Sequence, residues 1–191
     1  ELRNCSAAHM HQLMIIRNKH VIYEGGFSPY PAGVWHVTYS MCKSVTNMAI
    51  GFLVDDGRLK LEDHLIDFIE PESLIDRVKM KDITIRNMLT MSTGVAFNET
   101  GAISGNDWVN GYFRSKVKFT PGSQFEYNSM NTYMLSAIVG KITGVTMFEF
   151  LKPRLFEPLG ITQVFWEESP QGITKGGWGL FIRQEDAAKL G

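Results

Sequence analysis

The segment Tyr39-Ser40-Met41-Cys42-Lys43-Ser44 sets a serine and a lysine three residues apart at the head of an apolar stretch, residues 41–54. Three residues along a helix give roughly 300° of rotation and about 4.5 Å of rise, so both side chains share a face. A lysine amine beside a serine hydroxyl can take its proton once burial lowers the pKa of such an amine. That makes a nucleophile without a histidine, suited to acyl transfer through a serine ester. A second residue with chemical potential is Tyr127, in Tyr127-Asn128-Ser129 just before another apolar helix. A phenol has a reference pKa of about 10, so it serves as a base only where a cation stabilises its phenolate. Lys43 is the candidate cation.

Spacing alone is not specific, because Ser115-Lys116-Val117-Lys118 repeats it. Context separates the two. Ser115 lies in a basic stretch with no apolar run to bury it. Ser40 follows Val37-Thr38-Tyr39 and opens a helix whose Met48, Ile50, Phe52 and Leu53 need burying. Serine is favoured at helix starts for structural reasons as well, and Tyr127 could equally be a half-buried aromatic with a bonded hydroxyl.

The elements that must position these residues can be read in outline. Residues 11–17 and 21–24 form two strands around Asn18-Lys19-His20, an antiparallel hairpin. An irregular approach over residues 29–33 leads to Trp35 and Ser40. The helix over 41–54 ends in Asp55-Asp56-Gly57, with the glycine as its cap. A short amphipathic piece runs to Ile69, and Thr84 caps a short helix over 84–90. Residues 101–111 read as a surface loop carrying Trp108. The apolar spacing of Met134, Leu135, Ile138 and Val139 predicts a helix from Asn131 to Gly144. Thr146 caps the next helix, which Pro153 must bend or split. A strand follows over 161–166, then a flexible glycine turn at 176–179 feeding a strand or helix, and a last helix from Glu185.

With 191 residues, 44 % hydrophobic and 20 % charged, the chain is one globular domain over 1–191 with a real core. A net charge of −1 gives no electrostatic reason to expect nucleic acid as a partner. No apolar run reaches the roughly 20 residues of a membrane span. Two cysteines make no disulfide framework, and Cys42 reads as a small buried hydrophobe. The five scattered histidines show no metal spacing, so no metal or other cofactor is expected. The chain begins at Glu1 without a signal-peptide pattern and stops inside a helix, which suggests a trimmed piece of something longer. A bacterial cytoplasmic location and a processed extracytoplasmic one both stay open.

Taken together, these residues resemble the serine β-lactamase and penicillin-binding protein superfamily, most closely its class C β-lactamase and esterase-like branch. The resemblance runs through Tyr39-Ser40-Met41-Cys42-Lys43-Ser44, Asp56-Gly57-Arg58-Leu59, Ile83-Thr84-Ile85-Arg86-Asn87-Met88-Leu89-Thr90, Pro121-Gly122-Ser123-Gln124-Phe125-Glu126-Tyr127-Asn128-Ser129 and Phe156-Glu157-Pro158-Leu159-Gly160. Their order and spacing carry more weight than any one of them. The resemblance implies an α+β, β-lactamase/transpeptidase-like fold, an antiparallel sheet flanked by helices with a mostly helical middle. It also implies a serine hydrolase that forms an acyl-enzyme on Ser40 from an ester, amide or β-lactam. Lys43 and Tyr127 would handle the proton, and which of them is the base stays open. A D-alanyl-D-alanine carboxypeptidase and a non-catalytic, penicillin-recognising domain are the alternatives.

Two departures stand out. The family's second motif usually ends in asparagine, where this chain has Ser129, a single hydroxyl in place of a donor and an acceptor. That tilts the expected substrate from β-lactams toward esters or smaller amides, with Ser129, Trp108 and Trp178 as substrate-binding candidates. The family's third motif, a Lys- or His-Thr/Ser-Gly triplet, does not occur after Tyr127. Its strand would supply one oxyanion-hole N–H beside that of Ser40, and losing one such donor costs about 10²–10³ in turnover. These 191 residues alone are therefore expected to be impaired. A C-terminal fragment or a second chain would complete the sheet that the N-terminal hairpin leaves marginal.

Overall fold

The structure, a computed structural model, describes residues 9–96 and 105–191. Strands β1 (Gln12–Arg17) and β2 (His20–Gly26) pair antiparallel, with Arg17 opposite His20. The turn between them places Asn18 and Lys19 at positive φ, 51° and 65°, the primed geometry that matches the twist of a two-residue hairpin. A second sheet holds β3 (Trp35–Val37), β4 (Val164–Trp166) and β5 (Leu180–Arg183) in the order β3-β5-β4, all antiparallel. The sequence reading anticipated the hairpin and a strand at β4, and left the segment ahead of the last helix open between strand and helix; it is the strand β5. It treated the approach to Ser40 as irregular and so missed β3, a three-residue strand too short to show a period of two.

The segment that carries Ser40 is built on that second sheet. Beyond β3, Thr38 ties to β5 twice, through its N–H (2.8 Å) and its hydroxyl (3.1 Å), both donated to the Leu180 carbonyl. A 3₁₀ turn, Tyr39–Met41, then enters α1 (Cys42–Asp55). The helix therefore starts one residue later than the apolar run suggested, and Ser40 sits in the turn ahead of it. Gly57, at φ +69°, closes the C-terminal end as expected.

The middle of the chain is helical: α2 (Leu74–Met80), α3 (Ile85–Leu89), α4 (Trp108–Arg114), α5 (Ser129–Thr143) and α6 (Met147–Leu151). Each starts on a side-chain cap: Ser73, Thr84, Asp107, Asn128 and Thr146 accept from backbone N–H groups of the first turn. Two of these helices differ from the sequence expectation. Helix α2 has exposed Leu74, Ile75 and Val78, so its sequence lacks one clean apolar face. Helix α4 lies where residues 101–111 read as a loop; Asn110 and Gly111 hide its propensity, and burial of Trp108, Tyr112 and Phe113 overrides it. Residues 101–104 of that loop lie outside the described residues, as does Cys5. Pro153 breaks α6 into a π-helical turn, Lys152–Phe156, because it lacks the N–H that would continue the ladder. A last helix, α7 (Gln184–Leu190), follows β5 directly and packs near β1.

Helix α5 is the hub. Every residue from Met130 to Val139 is buried, and α1 and α3 pack on it. Trp166, Tyr112, Tyr133, Phe113 and Phe156 fill the remaining interior. Among the described residues no single helix is long and apolar enough to cross a membrane.

Cys42 bears out its reading as a buried hydrophobe. Burial pushes its thiol up to about 11, against the opposing charge of Lys43. A thiol reagent is thus expected to leave the Cys42 peptide unmodified in the native protein and to modify it in guanidinium; peptide mapping reads the difference. Rapid native modification of Cys42 would contradict the packing of α1.

Candidate active site

Ser40 Oγ is the meeting point of the site. Lys43 Nζ donates to it at 3.0 Å and the Tyr127 hydroxyl donates to it at 2.7 Å. The three residues come from two places, the turn into α1 and the segment before α5, and the packing of α1 on α5 brings them together. Lys43 Nζ also lies 5.0 Å from the centroid of the Tyr127 ring. The sequence pairing of Lys43 with Tyr127 is thus realised in space.

Lys43 is only 8 % exposed, so its ammonium needs partners. Besides Ser40 it finds the carbonyl of Gly177 at 2.5 Å. The adjoining Gly176 carbonyl accepts from the Thr46 hydroxyl at 2.6 Å and from the Cys42 thiol at 3.6 Å. One face of α1 therefore clasps two consecutive carbonyls of the loop ahead of β5. That loop can approach so closely only because both residues are glycine. A Cβ on Gly176 would lie 2.4 Å from the Thr132 carbonyl oxygen, and one on Gly177 would lie 2.7 Å from that of Ser129. The sequence reading treated this segment as a flexible turn; it is a fixed part of the site. The Gly-Gly pair was the available signal.

Tyr127 is held from the other side by residues 91–95. Glu126 N–H donates to the Met91 carbonyl at 2.9 Å, and Asn128 Nδ2 to that of Val95 at 3.0 Å. Below them a buried cluster fixes that segment: Thr93 Oγ1 and the Tyr112 hydroxyl both donate to Asn131 Oδ1, at 3.1 and 2.8 Å. Asn128, left without a role in the sequence reading, is a buried cap, its Oδ1 accepting from Met130 N–H at 2.8 Å. Burial opposes ionisation of the Tyr127 phenol. Hydrogen bonding to Lys43 and Ser40, the Lys43 charge and Ser129 outweigh it and hold the phenol below its ordinary range.

The remaining candidates fall as follows. Ser129 is the first residue of α5, partly buried, and contributes to the Tyr127 environment. Trp178 follows Gly177, partly buried, and stacks on Trp108 with ring centroids 5.9 Å apart. Trp108 itself is buried, its indole N–H donating to the Gly105 carbonyl at 2.8 Å and its ring tilted against Tyr133.

The Beta-lactamase family pattern matches residues 2–181. Protein flp of Staphylococcus aureus (strain COL) is 25 % identical over 137 residues, covering 68 % of this chain and 28 % of its own length. The lovastatin esterase of Penicillium rubens is 27 % identical over 150 residues, covering 64 % of this chain and 37 % of its own. The octameric penicillin-binding protein homologue from Pyrococcus abyssi superposes with a TM-score of 0.75 at 23 % identity, over 94 % of this chain and 50 % of that one. The chain thus spans half or less of the length of each. The likeness in structure establishes a β-lactamase/transpeptidase-like fold, and a family pattern running over nearly the whole sequence means that this chain belongs to the Beta-lactamase family.

Proposed function

We propose that the protein is a serine hydrolase that forms an acyl-enzyme on Ser40 from an ester or a small amide. The observation that carries this is the double contact on Ser40 Oγ, 3.0 Å from Lys43 Nζ and 2.7 Å from the Tyr127 oxygen. Ser40 Oγ attacks the substrate carbonyl while its proton passes to the Tyr127 phenolate or to Lys43 as the free amine. The tetrahedral intermediate expels the alcohol or amine, which takes that proton, and the acyl group stays on Oγ. Water then enters by the same route in reverse and releases the acid. The Lys43 charge beside the ring favours the Tyr127 phenolate, and the Tyr127 oxygen lies within reach of Ser40. Ser129 favours esters and small amides over β-lactams, since it offers a single hydroxyl where the family's asparagine offers an amide.

The test is a serine-reactive p-nitrophenyl phosphonate, followed by peptide mapping and by the rate of nitrophenolate release against pH. The adduct is expected on Ser40. The basic form of Tyr127 prevails above its pKa, and that pKa lies below the ordinary value of about 10. The rate should therefore climb on an alkaline limb centred below pH 10, and Tyr127→Phe should remove the limb. An adduct on another residue, or a rate flat from pH 6 to 10, would sink the assignment. Adduct formation without turnover of any ester would favour the penicillin-recognising alternative.

A further inference from the structure

Tyr127 owes its place to no regular element. Residues 121–128 form neither helix nor strand, yet the phenol lies 2.7 Å from Ser40 Oγ. The segment hangs instead on residues 91–95. Lys118 N–H donates to the Gly94 carbonyl at 2.8 Å and Gly122 N–H to that of Ser92 at 2.7 Å. Glu126 N–H donates to the Met91 carbonyl at 2.9 Å, and Asn128 Nδ2 to that of Val95 at 3.0 Å. Four carbonyls out of five consecutive residues thus serve one stretch of chain. Two of the five, Met91 at φ +54° and Gly94 at φ +75°, are left-handed. Glycine takes that conformation freely, whereas a methionine stays in it only where its surroundings hold it.

Asn131, fully buried on α5 four residues after Tyr127, grips this strip from below. Its Nδ2 donates to Met91 Sδ at 3.6 Å, and its Oδ1 accepts from Thr93 Oγ1 at 3.1 Å and from the Tyr112 hydroxyl at 2.8 Å. Thr93 Oγ1 in turn accepts from Val95 N–H at 3.3 Å. Met91, Thr93 and Tyr112 are buried as well, and a polar group that loses its partner in such surroundings is left unpaired.

Resting on the acyl-enzyme reading of Ser40, we infer that Asn131 is a positioning residue for that reaction. Through Met91 and Thr93 it fixes the carbonyls from which residues 118–128 hang, and so sets the distance from the Tyr127 phenol to Ser40 Oγ. Its effect on Ser40 passes through Tyr127. The consequence reaches beyond stability, because the partners that hold the phenol below its ordinary range, Lys43 and Ser40, act only at close contact. A Tyr127 freed from the strip drifts away from both, and its phenol returns toward its ordinary range.

The pH profile of Ser40 modification by the p-nitrophenyl phosphonate separates positioning from mere stability. Thr93→Val and Tyr112→Phe each remove one hydroxyl from Asn131 with little change of shape, and Asn131→Ala removes the hub itself. At pH 7 the two hydroxyl variants should react about 3- to 30-fold more slowly, and Asn131→Ala about 10²-fold more slowly. In all three the midpoint of the alkaline limb should move up, toward about 10. Thr93→Ser keeps the hydroxyl and should restore most of the rate and the limb. Ile161→Val, a core truncation outside this network, should lower the melting point and leave the limb where it is. Should Asn131→Ala fail to fold, the two hydroxyl variants decide. A limb unmoved in both, with Ser40 still modified, would overturn the role of Asn131 and leave the nucleophile assignment standing. A limb that moves equally in Ile161→Val would overturn it too, since any loss of stability would then suffice. No adduct on Ser40 in the unsubstituted protein would bring down the acyl-enzyme reading and this inference with it.

Discussion

Ser40→Ala is expected to lower ester turnover by about 10⁵–10⁶-fold, the loss typical of removing a nucleophile from a coupled catalytic group. Its two neighbours should behave as parts of the same device. Lys43→Ala and Tyr127→Phe, each on its own, should cost about 10³–10⁵-fold, and adding either to Ser40→Ala should cost almost nothing more. The non-additivity is expected because both residues contact Ser40 Oγ, at 3.0 and 2.7 Å, and without that oxygen neither has a proton to move. The two are not equally clean as probes. Lys43 is buried and also serves the Gly177 carbonyl, so its removal orphans a buried acceptor at a cost of about 1–3 kcal/mol. Tyr127 is half exposed, and Tyr127→Phe leaves the ring in place. Melting curves should therefore shift for Lys43→Ala and stay put for Tyr127→Phe. Losses that multiply across the double variants would mean that the three residues do not work as a unit.

Gly176→Ala is expected to damage both stability and activity although it touches no substrate. The new methyl would meet the Thr132 carbonyl oxygen at 2.4 Å and Ser136 Cβ at 3.1 Å, both on α5, and the residue sits at φ +43°. Overpacking and left-handed strain together should cost about 2–5 kcal/mol. The loop must retreat from α5, and with it the carbonyls that Thr46 and Lys43 hold. A displacement of about 1 Å at Lys43 would lower kcat/KM by about 10²-fold. Gly172→Ala is the control: its φ is +70°, but nothing lies within 4 Å of the new Cβ. It should cost only the strain, about 1–2 kcal/mol, with kcat/KM unchanged. Equal melting points for the two variants would show that the contact with α5 is not what fixes the loop.

What the sequence disclosed and what it withheld divide along physical lines. Ser40, Lys43 and Tyr127 could be picked out because their chemistry is unusual and their motifs are local. The capped helices α3, α5 and α6 were legible for the same reason, since Thr84, Asn131 onward and Thr146 carry short-range signals. Strand β3 and the Gly176 and Gly177 clasp were not, because each exists only through partners more than a hundred residues away. Helix α4 was hidden by its own composition, and only the burial of Trp108, Tyr112 and Phe113 makes it a helix. The segment 91–95 that supports Tyr127 carries no motif. Its work is done by backbone carbonyls, which sequence does not distinguish.

The central strand of the second sheet, β5, is also the last of the described strands to be made. Thr38 is tied to a residue 142 positions further on, and Lys43 to one 134 positions further on. During synthesis Ser40 and its lysine leave the ribosome long before either anchor exists. Contacts this distant in sequence form late, because the loop they close must first be paid for in entropy. A nascent chain therefore carries Ser40 beside an unanchored Lys43. On the proposed reading of the site, Ser40 can gain its reactivity only once nearly all of this chain has been translated.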